Sequence, residues 1–457
     1  MTKSPRILIA GGLAAGPSAA AKAVRTNPRA EVMMFEASET ISYGMCEAPY
    51  AIAGLIPDES RLVSYTPERL QEEKGVTVKT LHRVEKILAS QHRLVVRDLR
   101  KRESVEYAYD KLVIATGAQA KRLNMPGEDA RNVFPVSSRE NVRAIMKYID
   151  EESPVRAVII GGGYIGMEVS EALRSRGMEV TVLHRHRLPM AGLETETRER
   201  ILSELEKNEV HFVTNAKIEQ LQAGTDGKVR HVITNRGTFE ADLVILSLGV
   251  VPNVGLAKQA KIRIGATGAI AVNERQQTSA DDVYAAGDCC EIRNVVSGKP
   301  MHIPLATYAS RAAWVAGENA AGGRATFKGS IRAAAVKIFG IEVAQVGLSS
   351  DEAKEAGFEV ATESVTSHSR VALMPGSSKI TLRLIFDPNS GRLLGANVFG
   401  GSGAVQRANT LGVAIQQKMT VEDISRFDMI YAPPFAPLWD PVLIAANQAI
   451  KKVKSRQ

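Results

Sequence analysis

Along the chain, the first unbroken apolar run, Arg6 to Ala10, passes through Gly11-Gly12-Leu13-Ala14-Ala15-Gly16 into the alanine-rich stretch Ser18 to Arg25, and apolarity returns at Glu31 to Phe35. A short run without alternation predicts a buried strand, and the alanine-rich stretch predicts a helix. The order recurs at Val155 to Ile160, Gly161-Gly162-Gly163-Tyr164-Ile165-Gly166, a helical Met167 to Arg176, and Glu179 to Leu183. Two more buried runs ending in glycine, Asp110 to Gly117 and Ala241 to Gly249, each follow one unit and mark returns of the chain between domains. Asp282 to Asp288 is again strand, glycine and acid. After Gly329 the pattern changes to alternating strands, with Lys379 to Phe386 and Leu394 to Phe399 joined as a hairpin by Asp387-Pro388-Asn389-Ser390-Gly391, and then two helical stretches. An α/β chain with two βαβ units and a third, α+β domain is expected, and 457 residues suffice for about three domains.

Glycine turns after strands let backbone amides approach a pyrophosphate, and an acid at the end of the second strand accepts ribose hydroxyls. In the first unit Gly11, Gly12, Ala15 and Gly16 form the turn, Leu13 stands where the middle glycine belongs, and Glu36 is the acid. The second unit carries Gly161, Gly163 and Gly166 at the full Gly-x-Gly-x-x-Gly spacing. Two such units read as Rossmann-like domains for two dinucleotides. The second strand end of the second unit has no acid but His184-Arg185-His186-Arg187. A carboxylate there repels the 2′-phosphate of NADPH and basic side chains bind it, so NADPH is expected over NADH. Asp288, after Gly287, suits a polyol such as ribitol, or a turn or helix cap.

The stretch Ser42 to Tyr50 puts Cys46 just ahead of a helix start, because Pro49 has a fixed φ and no amide hydrogen to lose. Unpaired amides and the helix dipole there favour a thiolate; the alternative is a cysteine packed as a small hydrophobe. Only two other cysteines exist, the adjacent Cys289 and Cys290, both read as structural, so there is no disulfide framework and a reducing compartment is expected. The net charge of +8 is spread along the chain and favours acidic small molecules over nucleic acid. No run approaches about 18 apolar residues, and the N-terminal one is too short for a signal peptide; a cytoplasmic chain without a membrane partner is expected. No metal-ligand spacing occurs, and no metal is expected. Tyr431-Ala432-Pro433-Pro434-Phe435, with Trp439 after it, reads as an interface, a site wall or simple packing.

Taken together, these residues resemble the FAD-dependent pyridine nucleotide-disulfide oxidoreductases over essentially the whole length. The resemblance rests on the first fingerprint with Glu36, the strand end Ala115-Thr116-Gly117, the second fingerprint, Gly287-Asp288 and a C-terminal dimerisation domain. It implies FAD on the first unit with Asp288 near the ribitol, and a nicotinamide cofactor on the second. Tyr164 then covers the flavin until the nicotinamide displaces it, and Glu168 lies close to both. The chain divides into an FAD-binding domain in two parts, 1–123 and 249–326, an NAD(P)-binding domain, 124–248, and a dimerisation domain, 327–457. Dithiol members carry Cys-x-x-x-x-Cys and a C-terminal His-Glu pair; here Ala51 stands at the second cysteine and no histidine follows His368. The chain therefore resembles the single-cysteine branch: coenzyme A disulfide, persulfide and polysulfide reductases, NADH oxidases and NADH peroxidases. The oxidases and peroxidases carry a histidine in the first glycine loop, where this chain has Ala14.

The coenzyme A pattern Ser-Phe-x-Asn-Cys-x-x-Pro-Tyr is matched at Ser42, Cys46, Pro49 and Tyr50, while Tyr43 and Met45 depart from it. Lys22 and Arg25 fall where that group contacts coenzyme A, and Tyr431 matches a tyrosine that reaches the partner's coenzyme A site. Leu373-Met374-Pro375-Gly376 replaces a Tyr-Tyr-Pro-Gly segment. The implied activity passes hydride from NADPH through FAD to coenzyme A disulfide, coenzyme A persulfide or polysulfide at Cys46, in a homodimer whose active site is shared across the interface. The alternatives are an NAD(P)H oxidase or peroxidase cycling Cys46 through a sulfenate, and a redox-sensitive flavoprotein that binds a protein partner without turning over small thiols.

Overall fold

The first apolar run folds as the middle strand of a parallel sheet. In the computed structural model, which describes residues 4–454, Arg6–Ala10 pairs with Glu31–Phe35 on one side and Lys111–Ile114 on the other. Thr77–Lys79 and Val283–Ala285 complete the five strands. The outermost residues of the expected first and last domains, 1–3 and 455–457, lie outside the described residues. Helix Ala15–Thr26 lies against helix Ala306–Ala320 through alanines, Ala19, Ala20 and Ala23 sharing a core with Ala312, Ala313 and Ala316. The second unit repeats the plan, with Arg156–Ile160 between Glu179–Leu183 and Leu243–Leu246, and Val210–Val213 and Val133–Pro135 at the edges.

Both helices after the glycine loops start earlier than the apolar pattern indicates, at Ala15 and Tyr164. The helix begins inside the glycine loop, so its unpaired amides sit at the turn itself. The chain crosses between the two units twice, and the crossings pair as the antiparallel strands Ala118–Ala120 and Val250–Pro252.

The C-terminal part is a five-stranded antiparallel sheet in the order Ala334–Ile338, Ile341–Gly347, Leu393–Gly400, Lys379–Phe386, Ala361–His368. The expected hairpin is present: the Asp387 carboxylate accepts the Asn389 amide at 2.9 Å and the Ser390 hydroxyl at 2.7 Å. Among the described residues three helices rather than two follow it, Ala404–Gln416, Val421–Ser425 and Pro441–Ile450. The short middle one exists because Thr420 and Asp423 cap each other's amides, a signal the apolar pattern does not carry. Among the described residues no helix is long and apolar enough to cross a membrane.

One core cluster ties these parts together around the cysteine segment. Ala48, Ala51 and Ile52 share it with Ile159 and Met167 of the second unit and with Val336, Ile338 and Phe399 of the C-terminal sheet. The Phe339 amide donates to the Glu171 carboxylate at 2.7 Å, and Lys337 pairs with the same carboxylate. The segment that carries Cys46 is thus held by the second unit and by the C-terminal sheet, through packing that no local pattern predicts.

Candidate active site and nucleotide cradles

Gly11 leaves its strand at φ 115°, and a Cβ there would lie 2.0 Å from the Ala115 carbonyl oxygen. Gly161 has the same φ, with the Ser247 carbonyl oxygen 2.1 Å from where its Cβ would be. Only glycine meets both demands. Gly16 and Gly166 sit in the first turns of their helices, packed on the carbonyls of Gly11 and Gly161. Neither helix start has a side-chain cap, Ala14 and Gly163 being the N-cap residues, and Gly12 and Gly163 complete the turns. Uncapped amides converging at a tight turn fit a pyrophosphate, and each loop fits one dinucleotide.

At the first strand end Glu36 is 9% exposed, its Oε2 accepting the Gly12 amide at 2.7 Å and its Oε1 the Ser38 amide at 2.8 Å. At the second, Nδ1 of the buried His184 accepts the Gly162 amide at 3.0 Å, and Nε2 has no partner among the described residues. Burial, then the charges of His186, Arg198 and Arg185, pull the pKa of His184 down to about 4. The ring is neutral at physiological pH and belongs to the loop. Positive charge rests on the exposed Arg185 and Arg187, the latter 3.3 Å from Glu199.

Two joints bring further residues to the first cradle. Thr116 donates its hydroxyl to the Asn253 carbonyl at 2.9 Å, and Asn253 returns its side-chain amide to the Thr116 carbonyl at 2.8 Å and its backbone amide to the Gly117 carbonyl at 3.0 Å. Asn253 escaped sequence reading, since nothing local distinguishes it. Gly287, at φ 85°, brings the end of Val283–Ala285 against the first helix, where its Cβ would lie 2.8 Å from that of Ala15. Asp288 follows, with His302 Nε2 2.8 Å from its carbonyl oxygen; burial pushes the Asp288 carboxyl up against the opposing pull of His302.

Cys46 is exposed and stands one residue ahead of Glu47, the N-cap of helix Ala48–Ile52, with Pro49 in the first turn as expected. Its segment is tied to the first cradle: the Ser42 amide donates to the Gly12 carbonyl at 2.9 Å, and the Ser42 carbonyl accepts the Ser64 amide at 2.7 Å. The expected thiolate bias is not what the chain's own charges produce. Protein packed behind the sulfur pushes the thiol pKa up, and the carboxylates of Glu47, Glu168 and Asp288 push it further. The same carboxylates show what surrounds the sulfur, because they come from its own turn, from the second unit and from the strand end of the first.

Glu168 is pushed up to about 7, by burial first and Glu171 second, so near neutral pH it holds or releases a proton. Tyr50, one helical turn past Cys46, is raised by burial and by Glu168 and Glu171; the sequence pattern included it, but as a pattern match only. Tyr164 is 38% exposed at the start of the second unit's helix. Cys289 and Cys290 are 0% and 3% exposed in a different core, with their thiols donating to main-chain carbonyls.

Lys22 and Arg25 lie on the outer face of the first helix, away from the glycine loop. Lys22 is bound to Glu318 at 2.7 Å, and both cations flank Trp314, at 5.9 and 5.7 Å from its ring. Tyr431 is 48% exposed on the loop between Val421–Ser425 and Pro441–Ile450, alongside exposed Phe435 and Trp439. It is not among the groups that act on Cys46 within the chain.

Residues 5–312 match the model of the pyridine nucleotide-disulphide oxidoreductases and residues 333–441 that of their dimerisation domain. The chain belongs to this family. As a member it is an oxidoreductase that uses FAD and a nicotinamide dinucleotide, and its C-terminal sheet is the dimerisation domain. It is 36% identical over 447 residues to the NAD(P)H coenzyme A polysulfide/persulfide reductase of Pyrococcus horikoshii, covering 97% of this chain and 98% of that protein. The NAD-dependent persulfide reductase from A. fulgidus has a similar structure, with TM-score 0.94, 35% identity, and coverage of 98% of this chain and 83% of that one. An engineered water-forming NADPH oxidase derived from a Lactobacillus brevis NADH oxidase matches with TM-score 0.93 and 28% identity over 98% and 99% of the two chains.

Proposed function

We propose that this oxidoreductase reduces coenzyme A disulfide, coenzyme A persulfide or polysulfide with Cys46 as its redox-active thiol. The observation that carries the reading is the position of Cys46: exposed, adjoining both nucleotide cradles, and without a second cysteine to pair with. The names of the relatives support the acceptor class. FAD, when bound, supplies the two-electron relay between nicotinamide and sulfur. Gly11, Gly12, Ala15, Gly16, Glu36, Ala115, Thr116, Gly117, Gly287 and Asp288 would hold it, and Gly161, Gly163, Gly166 and Tyr164 the nicotinamide dinucleotide.

The Cys46 sulfur, once deprotonated, attacks one sulfur of the acceptor; the S–S bond breaks, one thiol leaves with a proton, and Cys46 is left in a mixed disulfide or persulfide. Two electrons from the nicotinamide and one proton then free the second thiol and restore the Cys46 thiolate. Glu168, with a pKa of about 7, is suited to hold that proton beside the sulfur. Tyr431 of the second copy is proposed to reach the leaving thiol, so that the site is shared across the dimer, and Ser42 to line it. An oxygen- or peroxide-reducing cycle is disfavoured because Ala14, at the helix N-cap, offers only a methyl group where that branch has a histidine.

NADPH is the preferred reductant in this reading. The strand end carries a neutral ring and the exposed Arg185 and Arg187 where an acid would repel a 2′-phosphate. The engineered NADPH oxidase exchanges an aspartate for alanine and the next residue, an alanine, for arginine, a change in the same sense. The boundaries 1–123, 124–248, 249–326 and 327–457 belong to this reading, supported by the paired crossings at Ala118–Ala120 and Val250–Pro252.

The test is anaerobic turnover of coenzyme A disulfide and of coenzyme A persulfide with NADPH, in the wild type and Cys46→Ser. Loss of at least about a thousandfold in the variant, with FAD retained, is expected. Equal rates in the two proteins would refute the role of Cys46.

A further inference from the structure

Two loops of the C-terminal domain meet at one buried ion pair. Loop 369–378 joins strands Ala361–His368 and Lys379–Phe386, and loop 426–440 joins helices Val421–Ser425 and Pro441–Ile450 and carries Tyr431. The Val371 amide donates to the Pro433 carbonyl across them at 3.3 Å. Arg407, on helix Ala404–Gln416, makes the firmer join. Its Nε donates to both carboxylate oxygens of Asp440 at 3.2 and 3.0 Å, and its Nη2 lies 2.8 Å from one of them. Nη2 also donates to the Ser369 carbonyl at 2.9 Å, and Nη1 to the Gly403 carbonyl at 3.0 Å. Asp440 in turn accepts the Val442 amide at 2.9 Å and caps the helix that follows. One guanidinium thus holds the first residue of one loop, the last residue of the other, and the start of its own helix.

The Arg407 and Asp440 side chains are only 7% and 6% exposed. A buried ion pair adds little stability over apolar groups of the same volume, because each charge loses its water. What a guanidinium adds is direction: its planar fork fixes the angles to several acceptors at once, which a single ammonium does not. The loops that this pair joins carry the inverse arrangement, with apolar Leu373, Ile430, Phe435 and Leu438 exposed. Charge inside and apolar groups outside suit loops that are stiffened at their roots and covered by a second copy. Arg407 and Asp440 both lie within the matched dimerisation domain, 333–441.

We propose that Arg407 is a positioning residue for the site of the second copy: with Asp440 it sets the two loops as one rigid unit, which presents Tyr431 to Cys46 across the dimer. The clamp rests on the proposed reaction for the role of Tyr431 and adds the device that places it. Arg407 touches neither the substrate nor the sulfur. It governs turnover of the acceptor and leaves reduction of the flavin by nicotinamide, which uses the cradles of one chain, unaffected.

The experiment compares wild type and Arg407→Lys as flavin-loaded dimers, together with a hybrid dimer of one Arg407→Lys chain and one Cys46→Ser chain isolated through two different affinity tags. Lysine keeps the charge against Asp440 and gives up the bonds to Ser369 and Gly403. Arg407→Lys is expected to lose about 10- to 100-fold in kcat for coenzyme A disulfide, while flavin reduction by NADPH keeps its rate. In the hybrid, Cys46 of the Arg407→Lys chain meets the intact loops of the other chain, and about half the wild-type turnover returns. Full turnover by Arg407→Lys overturns the clamp, and so does a hybrid no faster than the Arg407→Lys dimer; the reaction stands in both cases. If the wild type turns over no disulfide or persulfide, the acceptor reading fails and cross-linking decides the clamp separately. With Tyr431→Cys, a short bismaleimide joins Cys46 of one copy to the new thiol of the other, Cys289 and Cys290 being buried. A yield that falls about tenfold when Arg407→Lys is added upholds the clamp, and equal yields or no cross-link at all overturn it. Should Arg407→Lys not assemble, Arg407→Met with Asp440→Asn takes its place in the same measurements, since it removes both charges together and keeps an acceptor for the Val442 amide.

Discussion

In the first unit the amide of the second loop glycine, Gly12, donates to a carboxylate, and in the second unit the matching amide of Gly162 donates to an imidazole. The loops otherwise carry the same constraints, with one φ shared by Gly11 and Gly161 and the same near-contact to a carbonyl of the adjoining strand end. The shape of a nucleotide loop and the charge at its strand end are therefore separable. Glu36 closes its loop with an anion that suits ribose hydroxyls; His184 closes the other with a neutral ring and leaves the charge to Arg185 and Arg187.

The largest effects come from breaking what the two loops share. Gly11→Ala and Gly161→Ala each force a Cβ onto a backbone carbonyl at a positive φ, costing about 3–5 kcal/mol. Gly11→Ala is expected to yield protein depleted of flavin, whereas Gly161→Ala retains flavin and loses reduction by nicotinamide. Flavin absorbance per chain and thermal melting check this. Release of FAD by Gly161→Ala would show that the two cradles are not independent.

Exchanging the strand-end residue sharpens the comparison. His184→Asp keeps an acceptor for the Gly162 amide and adds a negative charge, so the ratio of kcat/KM for NADPH over NADH is expected to fall about 10- to 100-fold. Replacing Arg185 and Arg187 together with alanine raises KM for NADPH by about 5- to 10-fold. Because both are exposed, that effect shrinks as salt is added.

The smallest effects appear in the pH dependence of stability, and they run in opposite senses. His184 titrates at about 4 in the fold against 6.5 when free, so the unfolded chain binds more protons between those values. Its neutral, buried form is fully tolerated above pH 6.5, and stability is lost as pH falls toward 4. Glu168 is the reverse, at about 7 against 4.5: the folded chain binds more protons, and stability declines as pH rises through that window. His184→Gln should flatten the acid side of a Tm profile, and Glu168→Gln should raise Tm at pH 8, each by about 1–3 °C.

Much of this molecule is readable without coordinates because its signals are local. Strand Arg6–Ala10 and strand Glu31–Phe35 have the bounds that their apolar runs mark, and the hairpin at Asp387 follows from turn chemistry within five residues. Glycine spacing locates both cradles for the same reason: φ and backbone approach are properties of a few consecutive residues. What the tertiary structure decided is everything that depends on burial and on distant charge. His184 reads as one basic side chain of a run in sequence, and in the fold packing removes its solvent and pulls its pKa down to about 4. Cys46 reads as a thiolate ahead of a helix, yet the charges of Glu168 and Asp288, 122 and 242 residues away along the chain, oppose its ionisation. Asn253 clasps Thr116 across 137 residues, and Trp314 meets Lys22 and Arg25 across the seam of two helices. A sequence determines its local conformational preferences directly, whereas electrostatics and desolvation act through space, and only the folded chain fixes which groups share that space.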